Sequence, residues 1–175
     1  MGRIMPFAPR ILHGYPSATE ALDPAESLLL LAIRGWVDDV RQATDPLLRL
    51  GGIAAQVGVP AAAPALDMVM RVIARTALRP VQIGCPRCPR LGADEQRLLH
   101  AARLAQGRET GLAQEVLRDG LLSDIGAQFA LGPLQGLGEL LITAGFKLRP
   151  RLLVDLAGID DGDAVHWPLS LPTHH

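Results

Sequence analysis

Arg79-Pro-Val-Gln-Ile-Gly-Cys-Pro-Arg-Cys-Pro-Arg-Leu-Gly-Ala-Asp-Glu-Gln-Arg-Leu-Leu-His100 is the stretch on which the reading of this chain turns. A short β-branched run, Val81-Gln82-Ile83, enters a tight Cys-x-x-Cys turn, which hands the chain to a helix from about Gly92 to Gln106. Val81–Ile83 is the one strand the sequence offers. Unpaired backbone groups are costly when buried, so it needs a partner, either across a two-fold axis or in the N-terminal strip. Both cysteines of the protein, Cys85 and Cys88, lie in this stretch, and the chain on either side reads as helix.

Upstream, Pro6, Pro9 and Pro16 make residues 1–22 an irregular lead-in. Asp23-Pro24-Ala25-Glu26 then announces a helix: Asp caps, Pro suits the first helical position, and Glu completes a capping box. This helix runs to about Ala43, with Leu29, Ile33, Trp36, Val37 and Val40 on one side. Asp45-Pro46 repeats the signal for a second helix, which Gly58 stops after Val57. Pro60 and Pro64 bracket the start of a third, in which Leu66, Val69, Met70, Ile73, Ala74 and Ala77 recur at helical spacing. Asp67, Arg71 and Arg75 take its solvated side.

Downstream, residues 110–118 form a helix burying Leu112, Ala113, Val116 and Leu117, and a short helix follows over 122–129. Gly132-Pro133 restarts the chain into a last stripe of Leu134, Leu137, Leu140, Leu141 and Ala144. The expected architecture is mostly α: a single-domain bundle of six or seven helices, with one short β-strand leading into the Cys-x-x-Cys turn. Residues 1–22 are the lead-in, 23–146 the helical domain and 147–175 a tail.

Composition narrows the function. Hydrophobic residues make up 49% but aromatic ones only 3%, so the core must be aliphatic, which favours helices. Net charge is −1, with 16 Arg and one Lys, so there is no global field to hold a polyanion, and nucleic acid is not an expected partner. The Arg-over-Lys skew fits a GC-rich bacterial coding sequence. Met1–Arg10 lacks a secretory h-region, and the longest apolar run, Leu28–Ile33, is far too short to span a membrane. A cytoplasmic protein is expected, with its two cysteines kept as thiols unless they serve a metal or a redox role.

Three chemistries are open to the pair. For zinc, Cys85 and Cys88 would grip one side of a tetrahedral ion, with His100 as a third ligand at a finger-like distance. No second His follows within five residues of His100, so the fourth donor would come from elsewhere. A symmetric dimer would supply both cysteines twice, and His13, His166, His174 and His175 are further donors. For redox chemistry, strand, Cys-Pro-x-Cys and helix resemble the active site of glutaredoxins. That resemblance implies Cys85 as nucleophile, its thiolate stabilised by the helix N-terminus. The sequence departs from the pattern where Pro89 follows Cys88 and where sheet-forming strands are lacking. For a structural turn, the prolines shape a rigid corner, and His100 lies at the surface among Gln96, Arg97 and Arg103.

Ile53-Ala-Ala-Gln-Val-Gly-Val-Pro60 and the helix after it resemble the helix-turn-helix of bacterial regulators. The would-be recognition stretch, residues 61–70, has no Arg, Lys, Asn or Gln to read a base edge. No phosphate loop, His-Glu-x-x-His or nucleophile motif is present. The acidic residues read as caps and exposed faces without an acid/base pair, and Asp160-Asp161-Gly162-Asp163 reads as solvated tail. The expectation is a non-enzymatic protein acting through protein–protein contacts, with another protein or as a homodimer. Its Cys-x-x-Cys turn would be a structural zinc or thiol site. A helix-turn-helix regulator responsive to metal or thiol state is the alternative, and a thiol-disulfide oxidoreductase the third.

Overall fold

Asp23 caps the first helix as the sequence requires. Its carboxylate accepts from the Glu26 amide at 2.9 Å, and Glu26 accepts in return from the Asp23 amide at 3.1 Å. A computed structural model describes residues 12–151, 153 and 154. Among them are six α-helices: α1 Pro24–Arg41, α2 Pro46–Gln56, α3 Ala62–Thr76, α4 Ala93–Gln106, α5 Thr110–Arg118 and α6 Asp124–Thr143. Helix α6 packs against α3, α4 and α5, while α1 packs against α2, α3 and α4. The aliphatic bundle expected from composition is the architecture found. Within it Leu99, Leu117 and Leu121 are fully buried, whereas Leu112, read as buried, is 48% exposed.

The break expected at Gly132-Pro133 does not occur, because α6 is one helix with Pro133 inside it. Its buried positions, Gly126, Ala127, Ala130, Leu134, Leu137, Gly138 and Leu141, keep a single helical phase on both sides of the proline. Pro133 removes only the bond to the Phe129 carbonyl, and Phe129 is 67% exposed, on the side where water can take that acceptor. Further along, α6 crosses the end of α4 so closely that a Cβ on Gly138 would lie 2.9 Å from the Gln106 Cα. Only glycine permits that approach.

Strand content is confined, among the described residues, to the antiparallel pair β1 Leu12–His13 and β2 Leu153–Val154 with isolated bridges. The lead-in strip finds its partner beyond the cysteines and not at Val81–Ile83. Leu91 N–H donates to the Ser17 carbonyl at 2.9 Å, and Thr19 N–H donates to the Pro89 carbonyl at 2.8 Å. Packed chain continues past the expected boundary at residue 146. Leu148 is buried, its amide donating to Gln106 Oε1 at 2.8 Å, and Arg151 Nε donates to Glu26 Oε1 at 2.9 Å. Residues 155–175, with the Asp160–Asp163 stretch and His166, His174 and His175, lie outside the described residues.

Candidate functional site

Residues 81–85 belong to no helix and no sheet, so the strand expected at Val81–Ile83 is not formed. The reason lies in where its amides go. Gln82 N–H donates to Asp94 Oδ2 at 2.8 Å, and Gly84 N–H donates to Glu95 Oε1 at 2.9 Å. Two consecutive carboxylates in the first turn of α4 supply, at every second residue, the acceptors a neighbouring strand would have given. The start of a helix also favours negative charge.

Each carboxylate is saturated. Asp94 accepts from Arg79 Nη1 and Nη2 at 2.7 and 2.6 Å, and from Arg97 Nη1 at 2.9 Å. Glu95, with no exposed surface, accepts from Arg34 Nε at 2.7 Å, Arg34 Nη2 at 2.9 Å and the Gly92 amide at 2.7 Å. Burial works to raise both carboxyls. For Asp94 the Arg79 guanidinium and the Gln82 amide outweigh it, and for Glu95 Arg34 with the Gly92 and Gly84 amides does so. Both end below the ordinary carboxylate range. The expectation that the acidic residues sit on exposed faces is corrected here: Asp94 and Glu95 are cap residues, yet buried, and Glu26, Asp39 and Asp67 are buried as well.

Arg34, only 2% exposed, ties α1 to the turn itself. Beyond Glu95, its Nη1 donates to the Cys88 carbonyl at 2.6 Å and its Nη2 to the Arg90 carbonyl at 2.7 Å. Gly84 lies against this pair, where a Cβ would meet Arg34 Nη2 at 3.2 Å and Glu95 Oε1 at 3.3 Å. The Cys-x-x-Cys corner is therefore mounted on a buried ion pair whose partners stand sixty-one residues apart.

Cys85 and Cys88 are joined as a disulfide, with Cα atoms 5.1 Å apart. Cys88 N–H donates to the Cys85 carbonyl at 3.0 Å, and Cys85 N–H donates to Cys88 Sγ at 3.1 Å. Cys85 is exposed and Cys88 half-buried. Helix α4 begins only at Ala93, and Glu95 takes the amide of its cap residue Gly92, so the cysteines do not sit at a helix N-terminus as the glutaredoxin likeness implied.

His100 is not the surface residue expected. It is 2% exposed and meets the Tyr15 ring edge-on, with centroids 6.4 Å apart. Burial, and then the nearby Arg103 charge, push its pKa below the ordinary histidine value, against a smaller pull from Glu109. Arg151 lies over the same Tyr15 ring at 5.0 Å and pairs with the buried Glu26. Burial, with the Glu26 charge, raises the Tyr15 hydroxyl well above its usual value. The structure thus brings Cys85 and Cys88 together and sets His100 in a separate polar clasp with Tyr15. Among the described residues no group of three or more His, Cys, Asp or Glu side chains is placed to hold a metal ion.

Helices α2 and α3 and the turn between them do form, but Arg71 is engaged. Its Nε donates to Asp67 Oδ2 at 2.7 Å, while Asp67 Oδ1 accepts from Trp36 Nε1 at 2.8 Å. A groove of about 540 Å³ opens beside the corner, lined by Trp36, Arg41, Met70, Ile73, Val81 and Ile83 among others. Arg41 Nη2 reaches the Ile83 carbonyl at 3.4 Å. Among the described residues Arg41, Arg87 and Arg90 form no ion pair, whereas Arg34, Arg79 and Arg97 do.

No protein family, no curated protein and no solved structure matches the chain. No helix among the described residues is long and apolar enough to cross a membrane.

Proposed function

We propose that this chain is a contact protein that receives an extended, acidic segment of a partner protein along the outer edge of Val81–Ile83. The observation that supports the reading is the division of amides in that segment. Gln82 and Gly84 donate inward to carboxylates, while the Val81 and Ile83 amides have no bonded acceptor among the described residues. In an extended chain alternate amides point to opposite sides, so a rigid half-ladder is held ready for strand addition. The groove lies along the same segment to take alternate side chains, and Arg41, which lines it without an ion pair among the described residues, gives acidic sequences the advantage. The polar groups at the corner do not suggest catalysis, since Arg34, Asp94 and Glu95 are consumed in holding the backbone.

Binding of a labelled, extended peptide of alternating valine and glutamate tests the reading, with amide spectra recorded during titration. The expected result is that Val81 and Ile83 signals move. Affinity should fall about tenfold with Arg41→Glu and fall again with added salt. A lysine counterpart of the peptide should not bind. Equal binding of both peptides, or none with the two amides unmoved, would contradict the proposal. A concentration-dependent dimer that shifts the same amides would transfer the edge to a second copy. Two corners would then meet, and zinc at fixed stoichiometry in the reduced dimer would identify a four-thiolate site.

A further inference from the structure

We infer that Cys85 and Cys88 form a thiol–disulfide exchange site in which Cys85 is the sulfur that joins an incoming thiol and Cys88 the sulfur that leaves. This stands apart from the peptide edge and holds whatever docks beside it. Two asymmetries carry it. Cys85 is exposed and Cys88 half-buried, so a thiolate approaching from solvent meets the Cys85 sulfur first. The backbone amide of Cys85 points at Cys88 Sγ, 3.1 Å away.

The step is written for a thiol co-reactant, small or protein-borne. Its thiolate attacks Cys85 Sγ, the bond to Cys88 Sγ breaks, and the electron pair leaves on Cys88. The product is a mixed disulfide on Cys85 and a thiolate on Cys88. That thiolate keeps the Cys85 amide as hydrogen-bond donor, which lowers a thiol pKa and speeds departure. A second thiol then attacks the sulfur of the first. It releases an external disulfide and leaves Cys85 as a thiol once a proton is taken up. Two thiols are oxidised and one protein disulfide is reduced, so hydrogens and electrons balance.

The turn is built to survive the cycle. Arg34 holds the Cys88 and Arg90 carbonyls through bonds that do not involve the sulfurs, so the reduced pair should stay within reach for the reverse exchange with an external disulfide, which is reduced to two thiols as the protein disulfide re-forms. The assignment reverses what a helix-start site implies. The stabilised thiolate is Cys88, because the nearest helix begins past it and the amide bond falls on its sulfur.

The test uses the oxidised full-length protein with excess glutathione, quenched with iodoacetamide and mapped by mass spectrometry. Glutathione on Cys85 with the alkyl group on Cys88 should exceed the reverse isomer about tenfold. In the fully reduced protein, the pH midpoint for alkylation should be lower at Cys88 than at Cys85. Cys88→Ser loaded at Cys85 with oxidised glutathione, which releases one reduced glutathione, should keep the mixed disulfide after excess reagent is removed, while the reduced wild type treated likewise should shed it through attack by Cys88. Equal isomers, predominance of the reverse one, or a pair that neither closes nor exchanges would overturn the assignment.

Discussion

The seam between α3 and α6 and the ion-pair cluster of Arg34, Asp94 and Glu95 under the corner at residues 79–95 are both buried, yet they are held by opposite means. At the seam, Leu66, Val69 and Ile73 face Ala130, Leu134 and Leu137, without a charged group between them. At the corner, Arg34, Arg79, Asp94 and Glu95 do the joining. The difference follows from the backbone. A helix satisfies its own amides and carbonyls, so its neighbours need only fill space, and α6 can even carry Pro133. The irregular segment 81–85 has no helix or sheet bonds of its own, so side chains provide acceptors for its Gln82 and Gly84 amides and must do so at fixed geometry. The seam draws its stability from area, and the corner from a closed set of hydrogen bonds.

Breaking one member of that set should have the largest effect. Glu95→Gln leaves Arg34 buried without its counter-charge and should cost about 3–5 kcal/mol in urea unfolding. The Gly84 and Gly92 amides should lose protection with it. The double change Arg34→Met, Glu95→Leu should recover much of that stability while the turn stays loose, which separates the worth of the ion pair from its positional role. At the aliphatic side of the comparison, Leu137→Ala, at a 2% exposed position in α6, should cost about 2–5 kcal/mol. There the Gln82 and Gly84 amides should stay protected, since Leu137 lies in the seam and their acceptors lie in the first turn of α4.

Acid sharpens the same contrast. The folded pKa of His100 lies below the ordinary 6.5, so the unfolded chain binds that proton first and stability declines as pH falls from about 6.5. Asp94 and Glu95 are held below their ordinary 3.8 and 4.5, so their contribution is complete above those values and lost as pH falls through the folded ones. Chemical denaturation across this range should show two declines, and His100→Leu should remove only the upper one. The smallest effect belongs to a surface pair. Arg108→Ala, whose side chain is 82% exposed opposite Glu139, should change stability by less than about 0.5 kcal/mol.

The helical part of the fold was legible because its signals are local. Asp23, Pro24 and Glu26 sit within one turn and form the capping box read from them. The stripe of Leu66, Val69, Met70 and Ile73 is buried at the spacing that announced it. The corner was legible only in its cysteines. Arg34 ends an apolar run, and nothing local links it to a glutamate sixty-one residues on. His100 was misread because α4 is enclosed on several sides. Its buried set includes Asp94, Glu95, Gln96 and Gln106, and of the neighbours that suggest a surface Gln96 is itself inside while Arg97 and Arg103 are half-buried. The one available signal was the pair of consecutive carboxylates opening α4, just after an extended run with no strand to join.

Amide hydrogen exchange across residues 81–84 tests most directly the claim that carboxylates stand in for a missing strand. The account predicts alternation: slow exchange at Gln82 and Gly84, exchange near open-chain rates at Val81 and Ile83, and loss of the Gly84 protection in Glu95→Gln. Uniform protection at all four, as in a paired strand, or protection at none, would contradict it.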